Sequence, residues 1–169
     1  MPPTDVVRTY LQMTAPAQLR PAHLDDPGVR VDTVTACPPS FYRYLYQTVG
    51  ERWHWRDRAA WSEHQIRAWL TDPAVSLLVL YVEGAPAGYA ELMQHPDRTT
   101  ELVYFGLLPE FVARGLGKYL LTAAVERAWA TGTPRVWLHT CTLDSPHALP
   151  NYLARGFTPY QEERYTVEL

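Results

Sequence analysis

The sequence contains few cysteines, no excess of basic charge and no long apolar run. Its 2 cysteines, Cys37 and Cys141, fit neither a disulfide scaffold nor a zinc motif, so we expect no metal and a reducing, cytoplasmic location. A net charge of −3 argues against nucleic acid as the main partner, because phosphate contacts need clustered Lys and Arg. The start of the chain lacks the pattern of a signal peptide, and no segment is long enough to span a bilayer, so no membrane partner is expected.

Apolar and aromatic residues are abundant by contrast. Hydrophobic residues make up 47% of the 169 positions, and the chain has 6 Trp and 11 Tyr. A chain of this length usually forms one domain, and this composition is sufficient for a substantial core. We therefore expect a single domain over residues 1–169.

Hydrophobic periodicity predicts an α/β fold, with a mixed and mostly antiparallel central sheet and helices on both faces. The predicted strands cover residues 6–13, 28–34, 76–82, 87–93, 100–107 and 136–141. The predicted helices cover residues 40–49, 61–70, 116–130 and 148–154. After Phe157 we expect either a very short hairpin or a single strand that completes the sheet.

The most informative segment is the turn between the strand 100–107 and the helix that begins near Leu116. Gly115 and Gly117 give this turn a G-x-G spacing. Backbone N–H groups at a helix N-terminus and the helix dipole together favour an anion, and glycine lets the backbone approach it closely. The turn is therefore a candidate diphosphate site, although an ordinary strand-to-helix turn could carry the same residues.

A second motif follows the strand 136–141 and extends to residue 157. The order of strand, glycine turn, helix, strand, short helix and Gly-Phe resembles the GCN5-related N-acetyltransferase (GNAT) superfamily. Gly115 and Gly117 match the family's pyrophosphate loop, (Arg/Gln)-x-x-Gly-x-(Gly/Ala), while Val112 replaces its basic residue and Arg114 keeps a basic residue nearby. Four residues match the family's later segment in register, with Ser145 in place of its usual Asn: Ala148, Tyr152, Gly156 and Phe157.

The resemblance implies that the chain binds acetyl-CoA within a core of about residues 76–157. It implies that the strand ending near Leu107 splays from the next strand, so that free backbone groups near Phe105 and Leu107 pair with the pantetheine arm. The implied cofactor-binding residues are Phe105, Leu107, Val112, Ala113, Arg114, Gly115, Leu116, Gly117, Lys118 and Ser145.

For the chemistry, the resemblance implies that Tyr152 protonates the leaving thiolate, although a packing role beside Phe157 would also explain it. Glu101 is the first candidate for the base that deprotonates the amine, directly or through a water. Glu91 and His139 are rivals, and each of these residues also has a simple structural interpretation, as a strand-end carboxylate or a core histidine. Nothing beside Cys141 suggests a covalent intermediate, so direct transfer is preferred.

A tryptophan-rich segment at residues 52–58 lies between the first two predicted helices, the region from which the family usually takes its specificity for the acceptor substrate. Aromatic walls can hold an apolar group or a cation, so we expect substrate contacts there. The candidate substrate-binding residues are Trp53, Trp55, Glu91, Tyr104 and His139. The leading hypothesis is an acetyl-CoA-dependent N-acetyltransferase acting on a small-molecule or peptide amine, and the alternative is an acyl-CoA-binding regulatory module with little or no catalysis. Dimers are common in the family, so a homodimer is left open.

Overall fold

The computed structural model describes residues 2–169 and contains one seven-stranded sheet with helices packed on both of its faces. The strands are β1 (Thr4–Met13), β2 (Val29–Val34), β3 (Val75–Val82), β4 (Ala85–Gln94), β5 (Thr100–Leu107), β6 (Val136–Cys141) and β7 (Thr158–Val167). The helices are α1 (Pro39–Gly50), α2 (Glu63–Leu70), α3 (Leu116–Ala130) and α4 (Ala148–Arg155). The predicted fold class is confirmed.

The order of strands across the sheet is β2-β3-β4-β5-β6-β1-β7. Neighbouring strands pair antiparallel, except for β5 and β6, which are parallel. The sequence predicted a strand near residues 6–13, but not that it would lie between β6 and β7. Of the two expectations for the segment after Phe157, the single strand is correct, because β7 pairs with β1 and forms no hairpin.

Each face of the sheet carries its own apolar cluster. On one face, α3 packs Leu120 and Leu121 against strand residues such as Leu11 and Leu138, all buried. On the other face, α1 and α2 cover a second cluster that includes Tyr89. Apolar residues at helical spacing thus give each helix one buried face, which holds the sheet between two layers.

The strands β5 and β6 separate soon after they meet. They pair only where Thr100 lies beside Val136 and Glu101 beside Trp137. On its other side, β5 has a bulge at Val103, since Leu102 and Tyr104 pair with consecutive residues of β4. The rest of β5 is therefore unpaired along one edge, as the resemblance implies, and a cleft opens between it and β6.

The inserted strand β1 presents side chains to both faces of the sheet. Leu11 and Met13 are fully buried on the α3 face, and residues alternate along a strand, so Arg8 and Tyr10 point to the opposite face. Tyr10 packs there against His139, with ring centroids 5.4 Å apart. The strand β1 thereby contributes to the face on which the cleft opens. Within residues 2–169, no helix is both long and apolar enough to cross a bilayer.

Candidate active site

A cavity with a volume of about 610 Å³ lies in the cleft between β5 and β6. One part is bordered by the end of β5, the turn before α3 and the first residues of α4. The other part is bordered by the loop between α1 and α2, by β6, and by the strands β1 and β7. The cleft thus joins the predicted cofactor side to the predicted acceptor side.

The turn before α3 has the geometry that an anion site needs. Ala113 and Gly115 have positive φ angles of 64° and 77°, which turn the chain sharply into the helix. The first N–H groups of a helix have no partner within it, and across residues 2–169 those of Arg114 to Gly117 donate to no protein oxygen. A Cβ atom on Gly117 would lie in ordinary contact, 3.7 Å, with the side chains of Asn151 and Leu107, so this position has room for no more than a small group beside the backbone.

Most of the predicted cofactor-binding residues line the cavity, and two do not. Those that line it are Phe105, Leu107, Val112, Ala113, Gly115, Gly117, Lys118 and Ser145. Leu116 is instead buried in the core, with only 4% exposed. Arg114 is exposed and lies over the Phe111 ring at 5.4 Å, outside the cavity lining. Lys118, the only lysine in the sequence, is therefore the cation that the structure places at this end.

Tyr152 lies on α4 and lines the cavity while only 6% exposed. Its ring packs between Phe105 and Phe157, at centroid distances of 5.9 and 6.1 Å. Burial, and the nearby charge of Asp144, raise the pKa of Tyr152 well above its usual value. The hydroxyl therefore stays protonated at neutral pH, and its position in the cavity lining, rather than its acidity, makes it a candidate proton donor.

Two of the three candidates for the base, His139 and Glu101, lie next to each other, and only His139 is at the cavity. His139 lines the cavity with 38% of its side chain exposed, while Glu101 lies behind it, 3.8 Å from its Nε2. Glu101 also makes a 2.9 Å hydrogen bond with Nε2 of His95 on its far side. Burial lowers the pKa of His139 below its usual 6.5, and Glu101 opposes this shift. A neutral imidazole thus faces the cleft, with a carboxylate behind it.

Glu91 does not lie in the cleft, in contrast to the expectation from sequence. It is fully buried, with both carboxylate oxygens 2.7 Å from Nη1 of Arg58. The hydroxyl of Tyr42 donates a further 2.7 Å hydrogen bond to it. Because its oxygens are occupied within the core, Glu91 is available neither as a base nor as a substrate contact.

The aromatic residues that the sequence suggested for acceptor binding lie together at the cavity. Trp53, Trp55 and Tyr104 all line the cavity, and the rings of Trp55 and Tyr104 are 4.8 Å apart. The Tyr104 hydroxyl donates to Asp57 at 3.2 Å, which brings a carboxylate to the same wall. This wall therefore combines aromatic surface with one negative charge.

Several residues of the cleft were not found by reading the sequence. Arg8 and Tyr165 enter it from β1 and β7, which pair only after the fold has formed, so no local signal marks them. Asn151 also lines it, and its position beside Tyr152 in the sequence was the signal available. Asp57 lines it from within the tryptophan-rich segment 52–58 that the sequence did single out.

The sequence model described as the acetyltransferase (GNAT) family matches residues 41–157. An uncharacterised N-acetyltransferase of Mycobacterium tuberculosis is 34% identical over 77 residues, which cover 46% of this chain and 49% of that protein. The matched segment thus spans about half the length of this curated relative.

Solved structures share the fold at lower identity. A conserved protein of unknown function from Staphylococcus epidermidis superposes with a TM-score of 0.73 at 21% identity, covering 97% of this chain and 62% of that one. A GCN5-related N-acetyltransferase from Kribbella flavida superposes with a TM-score of 0.69 at 19% identity, covering 95% of this chain and 56% of that one.

Proposed function

Since the chain belongs to the acetyltransferase (GNAT) family, we propose that it transfers an acetyl group from acetyl-CoA directly to an amine of a small molecule or peptide. The observation that carries the proposal is the pairing of two features at one cleft. The end of β5 is unpaired on the cleft side, and the N–H groups before α3 have no protein partner. An extended amide-containing arm ending in a diphosphate matches both features.

The residues of the cleft fit such a cofactor. The N–H groups of residues 114–117 and the α3 dipole would bind the diphosphate, with Lys118 as counter-charge. The free edge of β5 at Phe105 and Leu107 would pair with the amide groups of the pantetheine arm. When bound, acetyl-CoA supplies the acetyl group as an activated thioester.

The proton transfers are assigned to two side chains that line the cleft. The neutral imidazole of His139 would accept the proton of the acceptor amine, with Glu101 orienting it from behind. The hydroxyl of Tyr152 would donate a proton to the departing sulfur. Holding the two reactants together in one cleft supplies much of the rate.

Direct transfer is supported by the protonation state of the Cys141 thiol, which lines the cavity. Burial and the charge of Asp144 raise its pKa, so the thiol stays protonated. A protonated thiol is a poor nucleophile, and an acyl-enzyme at this residue is therefore not favoured.

The test begins with thermal unfolding of the protein alone and with acetyl-CoA, free CoA or NADH. A ligand that binds only the native state raises the unfolding midpoint. We expect a rise with acetyl-CoA and CoA and none with NADH, followed by amine-dependent release of free thiol. Absence of any shift at millimolar acetyl-CoA contradicts the cofactor assignment. A shift without transfer to any amine would instead support the acyl-CoA-binding module.

A further inference from the structure

The acceptor part of the cleft contains a guanidinium group that the transfer chemistry above does not use. Arg8 lines the cavity from β1, with 34% of its side chain exposed. Arg8 is paired in register with Cys141 on β6. Two residues away along the same pair of strands, Tyr10 is paired with His139. Alternate residues of a strand are about 7 Å apart and point to the same face, so Arg8 lies close to His139.

The guanidinium is oriented by its neighbours and keeps some of its donors free. Its carbon lies 5.1 Å from the centre of the Tyr165 ring, and Nη2 donates a 3.4 Å hydrogen bond to the Tyr165 hydroxyl. Glu163 forms a partly exposed ion pair with Arg8, with its carboxylate 3.6 Å from Nη1, and it also accepts a hydrogen bond from Tyr10. An arginine carries five N–H donors in a rigid fork, so Arg8 retains donors for a ligand beside these contacts.

The charges around His139 have both signs. Burial and the positive charge of Arg8 lower the pKa of His139. The negative charges of Glu101, Asp144 and Asp57 raise it, so charges of both signs lie near this imidazole. Asp57 is on the aromatic wall, while Arg8 is on the inserted strand. A substrate with one group of each sign would match this arrangement.

We propose that the acceptor is an amine that also carries a carboxylate, as in a free amino acid, and that Arg8 binds this carboxylate while the amine lies near His139 and Asp57. The inference rests on the proposed acetyl transfer and names its substrate class. A guanidinium binds a carboxylate through two parallel hydrogen bonds, a stronger and more selective contact than a neutral one. Arg8 is therefore a specificity-determining residue.

Arg56 is the other arginine of the cavity lining, and the structure favours Arg8 over it. Arg56 is exposed on the loop, and its Nη1 donates to the backbone carbonyl of Glu168 at 3.3 Å. Arg8 is partly buried and held by an aromatic ring, so less side-chain entropy is lost when it binds a ligand.

The test compares acceptors that differ in one group. The twenty protein amino acids are screened with acetyl-CoA, and the best acceptor is compared with its amide and with the amine lacking the carboxyl group. We expect kcat/KM for the amino acid to exceed both analogues at least tenfold. In Arg8→Gln that value should fall about 10- to 100-fold, while the amide changes less than about twofold. Arg8→Lys, which keeps the charge without the fork, should be intermediate.

A matched control is Arg164→Gln, on β7 with 77% of its side chain exposed and outside the cavity lining. It should behave as the unsubstituted protein. A binding measurement without turnover uses calorimetry of the amino acid with saturating free CoA. The amino acid should bind the unsubstituted protein and Arg164→Gln, and bind Arg8→Gln at least tenfold more weakly.

Three results would overturn the inference. The analogues could be acetylated as well as the amino acid, Arg8→Gln could slow all acceptors equally, or Arg56→Gln alone could remove the preference for a carboxylate. Failure of the proposed function looks different, because then no amine is acetylated and acetyl-CoA does not bind. The unfolding midpoint of each variant separates loss of folding from loss of recognition.

Discussion

The Nη1 atom of Arg58 lies 2.7 Å from both carboxylate oxygens of Glu91, in a pair that is almost fully buried. The guanidinium carbon is also within 4.7 Å of three aromatic ring centres, those of Trp61, Trp69 and Tyr104. Arg58 directly follows Asp57 in the loop that borders the cleft. The pair therefore fastens the loop between α1 and α2 to the strand β4.

We predict that Glu91→Gln lowers the free energy of unfolding by about 3 kcal/mol or more, because it leaves the buried charge of Arg58 without its partner. The measurement is urea-induced unfolding. The control is Glu63→Gln, which breaks an exposed pair with Arg67 within α2 and should cost less than about 0.5 kcal/mol. Equal effects of the two substitutions would show that the buried pair adds nothing to stability.

We predict that Tyr152→Phe lowers kcat about 100-fold and leaves the Kd for acetyl-CoA within about threefold, because only the proton donor is removed. Steady-state kinetics and calorimetry measure the two quantities. Tyr44→Phe, on the exposed part of α1, serves as control and should change neither. An unchanged kcat in Tyr152→Phe would leave Tyr152 with a packing role alone.

We predict that Gly115→Ala weakens acetyl-CoA binding at least tenfold, because an alanine resists the positive φ of 77° and shifts the N–H groups before α3. Gly84→Ala is a matched control, since Gly84 has a φ of 84° in the turn between β3 and β4 and is not part of the cleft lining. Both should lose about 1 kcal/mol of stability. Only the first should raise the Kd, and a similar rise in both would argue against the loop as the diphosphate site.

We predict an acid limb in the pH profile of kcat/KM, with a midpoint below the usual histidine pKa of 6.5. Activity falls as the pH drops through this midpoint, because protonated His139 cannot accept a proton. Glu101→Gln removes a negative charge that raises the pKa of His139, so the limb should move to lower pH. His139→Gln should abolish the limb and lower kcat/KM about 100-fold.

Any limb that belongs to the substrate amine lies at higher pH and should be the same in all three proteins. If Glu101→Gln abolishes the acid limb while His139→Gln leaves it in place, the roles of the two residues are reversed. The profile thereby separates the base from the group that orients it.

The predictions from sequence succeeded where the signal is local. The periodicity of apolar residues predicts the helix α3 and the strand β5. The G-x-G turn between them requires backbone conformations that glycine adopts readily. Tyr152, Trp53 and Trp55 also line the cleft, because each lies in a short segment whose position the neighbouring helices and strands determine. The position of each of these residues thus depends on elements that are close to it in the sequence.

The predictions failed where a side chain's environment is set by distant residues. Glu91 looked available because alternation on β4 cannot reveal that Arg58, 33 residues earlier, occupies both of its oxygens. The place of β1 was missed for the same reason, since its register with β6 and β7 is a property of the whole sheet. Arg8 could be assigned to the cleft only after that register was known.

The position of β1 between β6 and β7 also affects the order in which parts of the cleft form during translation. Arg8 and Tyr165 touch across 157 residues of sequence, and the partners of β1 begin only at Val136. At ribosomal speeds of about 5–20 residues per second, β1 remains without its partners on the order of ten seconds. Contacts between such remote segments form slowly, so the part of the cleft that β1 and β7 line is expected to assemble last. The turn before α3 can therefore form in a nascent chain before Arg8 reaches its position in the cleft.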